Sequence, residues 1–269
     1  MKANFHTHTR FCDGRDSPAE MAARAYERGF EALGFSGHSG GGADDAGMTP
    51  SAAAAYRAEI ARLKREYAGR MEIYLGVEQD YTSGRVPPEY DYALGSVHYV
   101  CRDGEYLCVD WSAERTRENI AKYGGDPYAY AEAYFALVGG VLERTGAQIV
   151  GHFDLIRKFD EQDPVFDEAH PRYRRAVTDA LDRLCAEGKS PIFEINTGAM
   201  ARGCRSAPYP SAWILREIRA RSCPVMITTD CHDREKLTFG YAAAAELARS
   251  AGFTGQVTIR RGRFEEAEL

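Results

Sequence analysis

Asn4-Phe5-His6-Thr7-His8-Thr9 is a short β-prone run that ends in two histidines one residue apart. Alternate residues of a strand face the same side, so His6 and His8 point together and can chelate one ion while Thr7 faces away. The spacing returns far downstream in Asp230-Cys231-His232, directly after the β-branched run at 224–228. Between these two pairs the chain keeps one rhythm, short apolar runs alternating with longer segments of helical periodicity.

Runs at 4–7, 32–36, 71–77, 92–97, 148–151, 191–195 and 224–228 predict seven strands, with a short further strand at 256–259. Ser17-Pro18-Ala19-Glu20 is a capping box with proline at the first helical position, and its helix closes at Gly29. Thr49-Pro50 and Asp126-Pro127 open two more helices, which end at Gly69 and near Thr145. Helices ending at Gly188, over 213–221 and over 241–250 complete the alternation. Irregular insertions are expected near 99–127 and 153–170. Strands and helices alternating in this way imply parallel pairing, in either an open doubly wound sheet or a closed barrel.

The ionisable residues favour the barrel. Of seven histidines, six stand at or just beyond the end of a predicted strand: His6, His8, His38, His98, His152 and His232. Only His170 lies elsewhere. Glu78 follows the third strand, Asp230 the seventh, and Asp13 lies five residues beyond His8. Strand C-terminal ends converge on one face of a β/α barrel, whereas an open sheet would spread them along an edge. These nine residues are the candidate metal ligands. Six imidazoles and three carboxylates, with no thiolate, suit zinc, manganese or iron.

Composition narrows the setting. The 269 residues, 44% hydrophobic and 28% charged, are enough to bury a large core, and one domain over 1–269 is expected because β/α barrels reach this length. With 34 basic and 40 acidic residues the formal charge is −6, so no basic field exists to attract nucleic acid. Neither a secretory h-region nor a membrane span is indicated. The seven cysteines are odd in number and form no C-x-x-C pair, which reads as reduced thiols in a cytoplasmic protein. Gly188-Lys189-Ser190 resembles the end of a phosphate-binding loop, but Arg183 stands where that loop needs a glycine. Gly40-Gly41-Gly42 reads as a flexible loop.

The run from His6 to Gly14, followed by Gly37-His38-Ser39, Gly76-Val77-Glu78, Gly95-Ser96-Val97-His98, Gly151-His152-Phe153-Asp154 and Thr229-Asp230-Cys231-His232, resembles the polymerase and histidinol phosphatase (PHP) superfamily. Within it, residues 151–159, Glu194-Ile195-Asn196-Thr197-Gly198, Arg202-Gly203 and Tyr209-Pro210-Ser211 resemble the histidinol-phosphate phosphatase branch. The resemblance implies a distorted seven-stranded β/α barrel with three divalent metal ions. One would be held by His6, His8, Glu78 and Asp230, a second by Glu78, His98 and His152, and a third by Asp13, His38 and His232. In several relatives a histidine stands at the position of Asp13.

Three divalent ions against three carboxylates leave a positive pocket that attracts an anion. Coordination lowers the pKa of water to about 7 and so provides a hydroxide nucleophile for a phosphate ester. Glu78, Asp230 and Arg157 are expected to carry catalysis, with Arg157, Arg202, Lys158 and Arg205 on the substrate. The expected reaction is hydrolysis of L-histidinol phosphate to L-histidinol and phosphate. A PHP enzyme acting on another small phosphate ester or nucleotide is the alternative. A noncatalytic metal-binding module is the alternative of a different class.

Overall fold

The computed structural model describes residues 2–269. In chain order the strands are β1 (Ala3–Asn4), β2 (Ala32–Phe35), β3 (Glu72–Asp80), β4 (Tyr92–Ser96), β5 (Tyr99–Arg102), β6 (Glu105–Cys108), β7 (Ile149–Val150), β8 (Ile192–Asn196), β9 (Val225–Thr228), β10 (Gly255–Arg260) and β11 (Arg263–Glu268). The helices are α1 (Pro18–Glu27), α2 (Pro50–Glu66), α3 (Ala113–Lys122), α4 (Pro127–Val138), α5 (Val141–Thr145), α6 (Pro171–Leu184), α7 (Gly198–Ala201), α8 (Ala212–Ala220) and α9 (Tyr241–Ser250). The expected capping box forms at α1, where Ser17 and Glu20 bond each other's backbone N–H. Among the described residues no helix is long and apolar enough to cross a membrane.

Seven strands pair in parallel in the order β1-β2-β3-β4-β7-β8-β9. The two edges meet at a short seam. Thr7 bridges Cys231, with the His8 N–H donating to the Cys231 carbonyl at 2.8 Å and the Cys231 N–H to that of His6 at 3.0 Å. The sheet is therefore nearly closed into a barrel. One apolar cluster joins Ala3, Ala32, Tyr74, Leu94, Ile149, Ile192 and Met226, one from each of the seven strands. Residues of seven strands can meet in this way only on the concave side of a curled sheet.

Tyr92 shows how the curl is packed. Its hydroxyl donates to the Phe5 carbonyl at 2.8 Å, with that of Phe35 at 3.2 Å. Two glycines make room for it, since a Cβ at Gly34 or Gly76 would lie 2.3 Å from the Tyr92 side chain.

Several expected elements need correction. The first strand ladders with β2 only at Ala3 and Asn4; beyond them the ladder is interrupted at Thr7, whose N–H donates to Ser36 Oγ at 3.0 Å while its carbonyl accepts the Ser36 N–H at 2.9 Å. The helix expected from Asp126 to near Thr145 breaks at Gly139-Gly140 into α4 and α5. The stretch from 99 is not irregular. β5 and β6 form an antiparallel hairpin around Asp103-Gly104, both with positive φ, and α3 follows with Ser112 as its N-cap. A second hairpin, β10–β11, turns at Arg261-Gly262 in the same way, so the short strand expected at 256–259 has a partner that was not anticipated.

Candidate metal centre

All of the predicted ligands except Asp13, which sits in the turn after His8, lie at or just beyond the end of a parallel strand. Glu78 is near the end of β3, His98 and His152 lie two residues past β4 and β7, and His38 bridges to Glu78 just beyond β2. Asp230 follows β9 with φ at 45°, a strained value for a residue with a side chain. Its neighbour must be a glycine, because a Cβ on Gly198 would meet the Asp230 side chain at 2.7 Å.

Glu78 is the hub, and it is 1% exposed. Its Oε1 lies 2.8 Å from His152 Nε2 and 3.3 Å from His98 Nε2, and accepts from Ser96 Oγ at 2.7 Å. Its Oε2 lies 3.2 Å from His6 Nε2, 3.4 Å from His8 Nε2 and 3.4 Å from His38 Nδ1. Asp230 Oδ1 faces His8 Nε2 at 3.3 Å and His6 Nε2 at 3.7 Å. Asp13 faces His232 at 3.0 Å, His8 at 3.5 Å and His38 at 3.7 Å. Ligand atoms of three groups fall within 4.8 Å of one another: His8, Asp13, His38 and His232; His6, His8 and Asp230; and His38, Glu78 and His98. The nine predicted residues are thus brought together, with His8 and His38 each shared between groups.

The donor set fits divalent cations. His6 Nε2, His8 Nε2 and His38 Nδ1 are buried and lack a hydrogen-bond partner, although carboxylate oxygens stand close by. A bound ion satisfies such a lone pair and the carboxylates at once. The field points the same way. Burial alone would lower the pKa of His6 and His98, yet Glu194 and Glu78 with Asp230 for the one, and Glu78 with Asp80 for the other, hold both well above the ordinary value. His38 is raised to about 9 by Glu78, Asp44 and Asp13 against the cost of burial. By contrast, burial and the neighbouring His232 and His38 push His8 down to about 3. For Glu78, burial favours the protonated form, but His6, His38 and His98 outweigh it and hold the carboxyl well below its usual range. A site that draws protons onto its histidines while keeping its carboxylates ionised favours cations.

A second ring of carboxylates backs the histidines and was not anticipated. Glu194 takes the Nδ1 side of His6 and accepts the His152 N–H at 2.6 Å. Asp80 lies 3.1 Å from His98 Nδ1, while Asp44 lies 3.1 Å from His38 Nδ1, on the same nitrogen that faces Glu78. A carboxylate on one ring nitrogen fixes the tautomer that leaves the other free to bind a metal, as at His6 and His98. Glu78-x-Asp80 repeats the two-residue spacing of His6-x-His8, so the signal for Asp80 was present in the sequence.

The four basic residues are distributed differently. Arg202 reaches the centre, its Nη2 donating to Asp230 Oδ2 at 2.9 Å and its Nη1 lying 3.1 Å from His232 Nδ1. Lys158 lines an adjoining cavity of about 580 Å³ and pairs with Asp110 at 2.9 Å. Arg205 is buried, its guanidinium 4.4 Å from the centroid of the Tyr209 ring and 3.9 Å from Asp154. Arg157 is bound to Asp160 at 2.7 Å and Glu168 at 2.5 Å, and contacts none of the nine. His170, set apart from the start, caps α6 and stacks on Tyr128 at 3.6 Å.

The PHP domain profile matches residues 4–198, well over half of the chain. The chain belongs to the PHP family. Seven of the nine ligand candidates lie inside that span, with Asp230 and His232 beyond it. A histidinol-phosphatase of Bacillus subtilis is 26% identical, covering 91% of this chain and 99% of its own. The PHP fold extends to solved structures. A Listeria monocytogenes protein described as a candidate histidinol phosphatase superposes with a TM-score of 0.76 at 21% identity, over 90% of this chain and 99% of its own. The histidinol phosphate phosphatase of Lactococcus lactis, solved with zinc, L-histidinol and phosphate, gives 0.72 at 18% identity over 98% of both chains.

Proposed function

We propose that this chain is a cytoplasmic, metal-dependent phosphomonoesterase that hydrolyses L-histidinol phosphate to L-histidinol and phosphate in histidine biosynthesis. The observation that carries this reading is the convergence of nine ligand-type side chains on one barrel face, in a chain matched along nearly its whole length by a histidinol-phosphatase.

Three divalent ions, zinc, manganese or iron, suit the donors. His6, His8, Glu78 and Asp230 would hold one, Glu78, His98 and His152 a second, and Asp13, His38 and His232 a third. Bound there, such ions lower the pKa of water and offset charge on phosphoryl oxygens. The chain supplies the rest. Glu78 presents one oxygen to His6 and His8 and the other to His98 and His152, so it holds both groups in register. Arg202 donates to non-bridging phosphate oxygens, and Lys158 adds positive charge to the cavity wall. Asp44, Asp110 and the exposed rings of Tyr106 and Trp111 line the same cavity and receive the ammonium and imidazole of the substrate. Arg157, tied to Asp160 and Glu168, orders the turn that follows His152.

The test compares L-histidinol phosphate with p-nitrophenyl phosphate on protein reconstituted with each metal. The expected preference in kcat/KM is about 10²-fold or more, the discrimination that a few polar contacts supply. Equal efficiency would remove the histidinol-phosphate assignment. Elemental analysis should reach about three ions per chain, and saturation at one ion with full activity would overturn the three-ion arrangement.

A further inference from the structure

Two cysteines stand together at the ends of α6 and α8, away from the metal centre. Cys185 caps the C-terminus of α6, and Cys223 follows α8 just ahead of β9. The metal ligands follow the C-terminal ends of the barrel strands, whereas Cys223 precedes the N-terminal end of one. Their sulfurs are 2.7 Å apart, closer than two unbonded thiols normally approach and not yet at bonding distance. A disulfide needs about 2.05 Å, so closure requires the sulfurs to approach by less than 1 Å.

The surroundings hold this geometry. Arg221 Nε and Nη2 donate to Asp182 Oδ1 of α6 at 2.9 and 2.7 Å, while its Nη1 donates to Glu217 of α8 at 2.8 Å. The two helix ends are therefore already tied together. Ser222 takes a left-handed φ of 57°, which turns the chain between the tie and Cys223. Cys223 is buried and Cys185 half-buried, so an oxidant enters from the Cys185 side.

We propose that Cys185 and Cys223 form a dithiol site that a hydroperoxide or a small-molecule disulfide converts to an intramolecular disulfide. With hydrogen peroxide, one thiolate attacks the O–O bond, giving a sulfenic acid and releasing water. The second thiol attacks that sulfur and expels a second water. Two thiols lose two protons and two electrons, and the peroxide is reduced to two waters. None of the other half-buried or exposed thiols, Cys12, Cys101, Cys108 and Cys204, has a sulfur partner among the described residues. The S–H of Cys185 and, less strongly, the charge of Arg221 favour ionisation of Cys223 against the cost of burial, which helps the pair react.

The experiment oxidises the full-length protein with a small excess of hydrogen peroxide, quenches with an alkylating agent under denaturing conditions, and maps peptides by mass spectrometry. The expected result is a fall from seven titratable thiols to five, a cross-link joining the peptides of Cys185 and Cys223, and full reversal by dithiothreitol. The thermal midpoint should rise on oxidation, since the bond closes a loop of several dozen residues in the unfolded chain. Cys185→Ser and Cys223→Ser should each abolish the rise, Cys101→Ser should preserve it, and metal content should stay the same throughout. Seven thiols remaining after oxidation, or a cross-link mapping to any other pair, would overturn the proposal.

Discussion

Glu194→Gln tests whether the buried ring behind the histidines sets the metal centre. The Glu194 carboxylate accepts from His6 Nδ1, Thr228 Oγ1, the His152 N–H and Asn196 Nδ2, so four donors converge on two oxygens. An amide of the same shape keeps one oxygen and turns an NH2 group toward the other two donors. If the NH2 faces His152 N and Asn196, two buried donors lose their acceptor, at about 1–3 kcal/mol each. If it faces His6, that ring must accept at Nδ1, and its proton moves to Nε2, the atom aimed at Glu78 and Asp230. The first arrangement costs about 2–6 kcal/mol of stability, and the second removes a ligand lone pair. Affinity for manganese or zinc should fall by about 10- to 100-fold, as for other residues that orient metal-ligating histidines. Calorimetric titration of the metal-free protein gives the affinity, and urea unfolding without metal gives the stability. Unchanged unfolding together with metal affinity within about twofold of the parent would refute the role assigned to Glu194.

Arg202→Ala should lower kcat/KM by about 10²-fold, through the loss of a charge-assisted contact beside Asp230, with a smaller effect on metal content measured by elemental analysis. Arg157→Ala should destabilise the chain by about 3–5 kcal/mol in urea unfolding, because Asp160, 5% exposed at its side chain, is left without its cation. His170→Ala should cost about 1 kcal/mol through the lost cap of α6 while metal content and activity hold. Lys158 holds the Asp110 carboxyl well below its usual range despite burial. That depressed folded pKa gives stability that is present above the unfolded value near pH 4 and is lost as pH falls toward the folded value. The stability gap between parent and Asp110→Asn, measured metal-free, should therefore narrow below about pH 4.

The convergence of the candidate ligands was legible because it follows from strand periodicity. His6-x-His8 and Asp230-x-His232 announce a shared face before any fold is known, and the single ligands occur at the ends of apolar runs. Asp80 obeys the same spacing from Glu78, but a carboxylate inside a run that reads as strand looks like its polar end. Glu194 gives less warning still, since its four donors come from β8, β9 and the residues after β1 and β7. Asp103-Gly104 is a strong local hairpin signal, hidden because β5 and β6 expose much of their surface and carry little apolar alternation. The partner of Arg157 was half visible, since Asp160 lies three residues on in the same turn, whereas Glu168 depends on how the following loop folds.

The seam between β1 and β9 gives the barrel an order of assembly. His6 and His8 lie on one side of it and Asp230 and His232 on the other, and few backbone hydrogen bonds join them: those flanking the Thr7–Cys231 bridge and one from the Arg15 N–H to the His232 carbonyl. During synthesis β1 emerges first and its free edge must wait for nearly the whole chain before β9 can seat beside it. A fragment that stops short of residue 230 keeps β2, β3 and β4 paired but leaves the ring open and two candidate ligands missing. An ion gripping both sides would act as a clasp on the ring, holding its first and last strands together where few backbone hydrogen bonds do so. Removing it should quicken hydrogen exchange at the His8 and Cys231 amides before those of β3 and β4 respond.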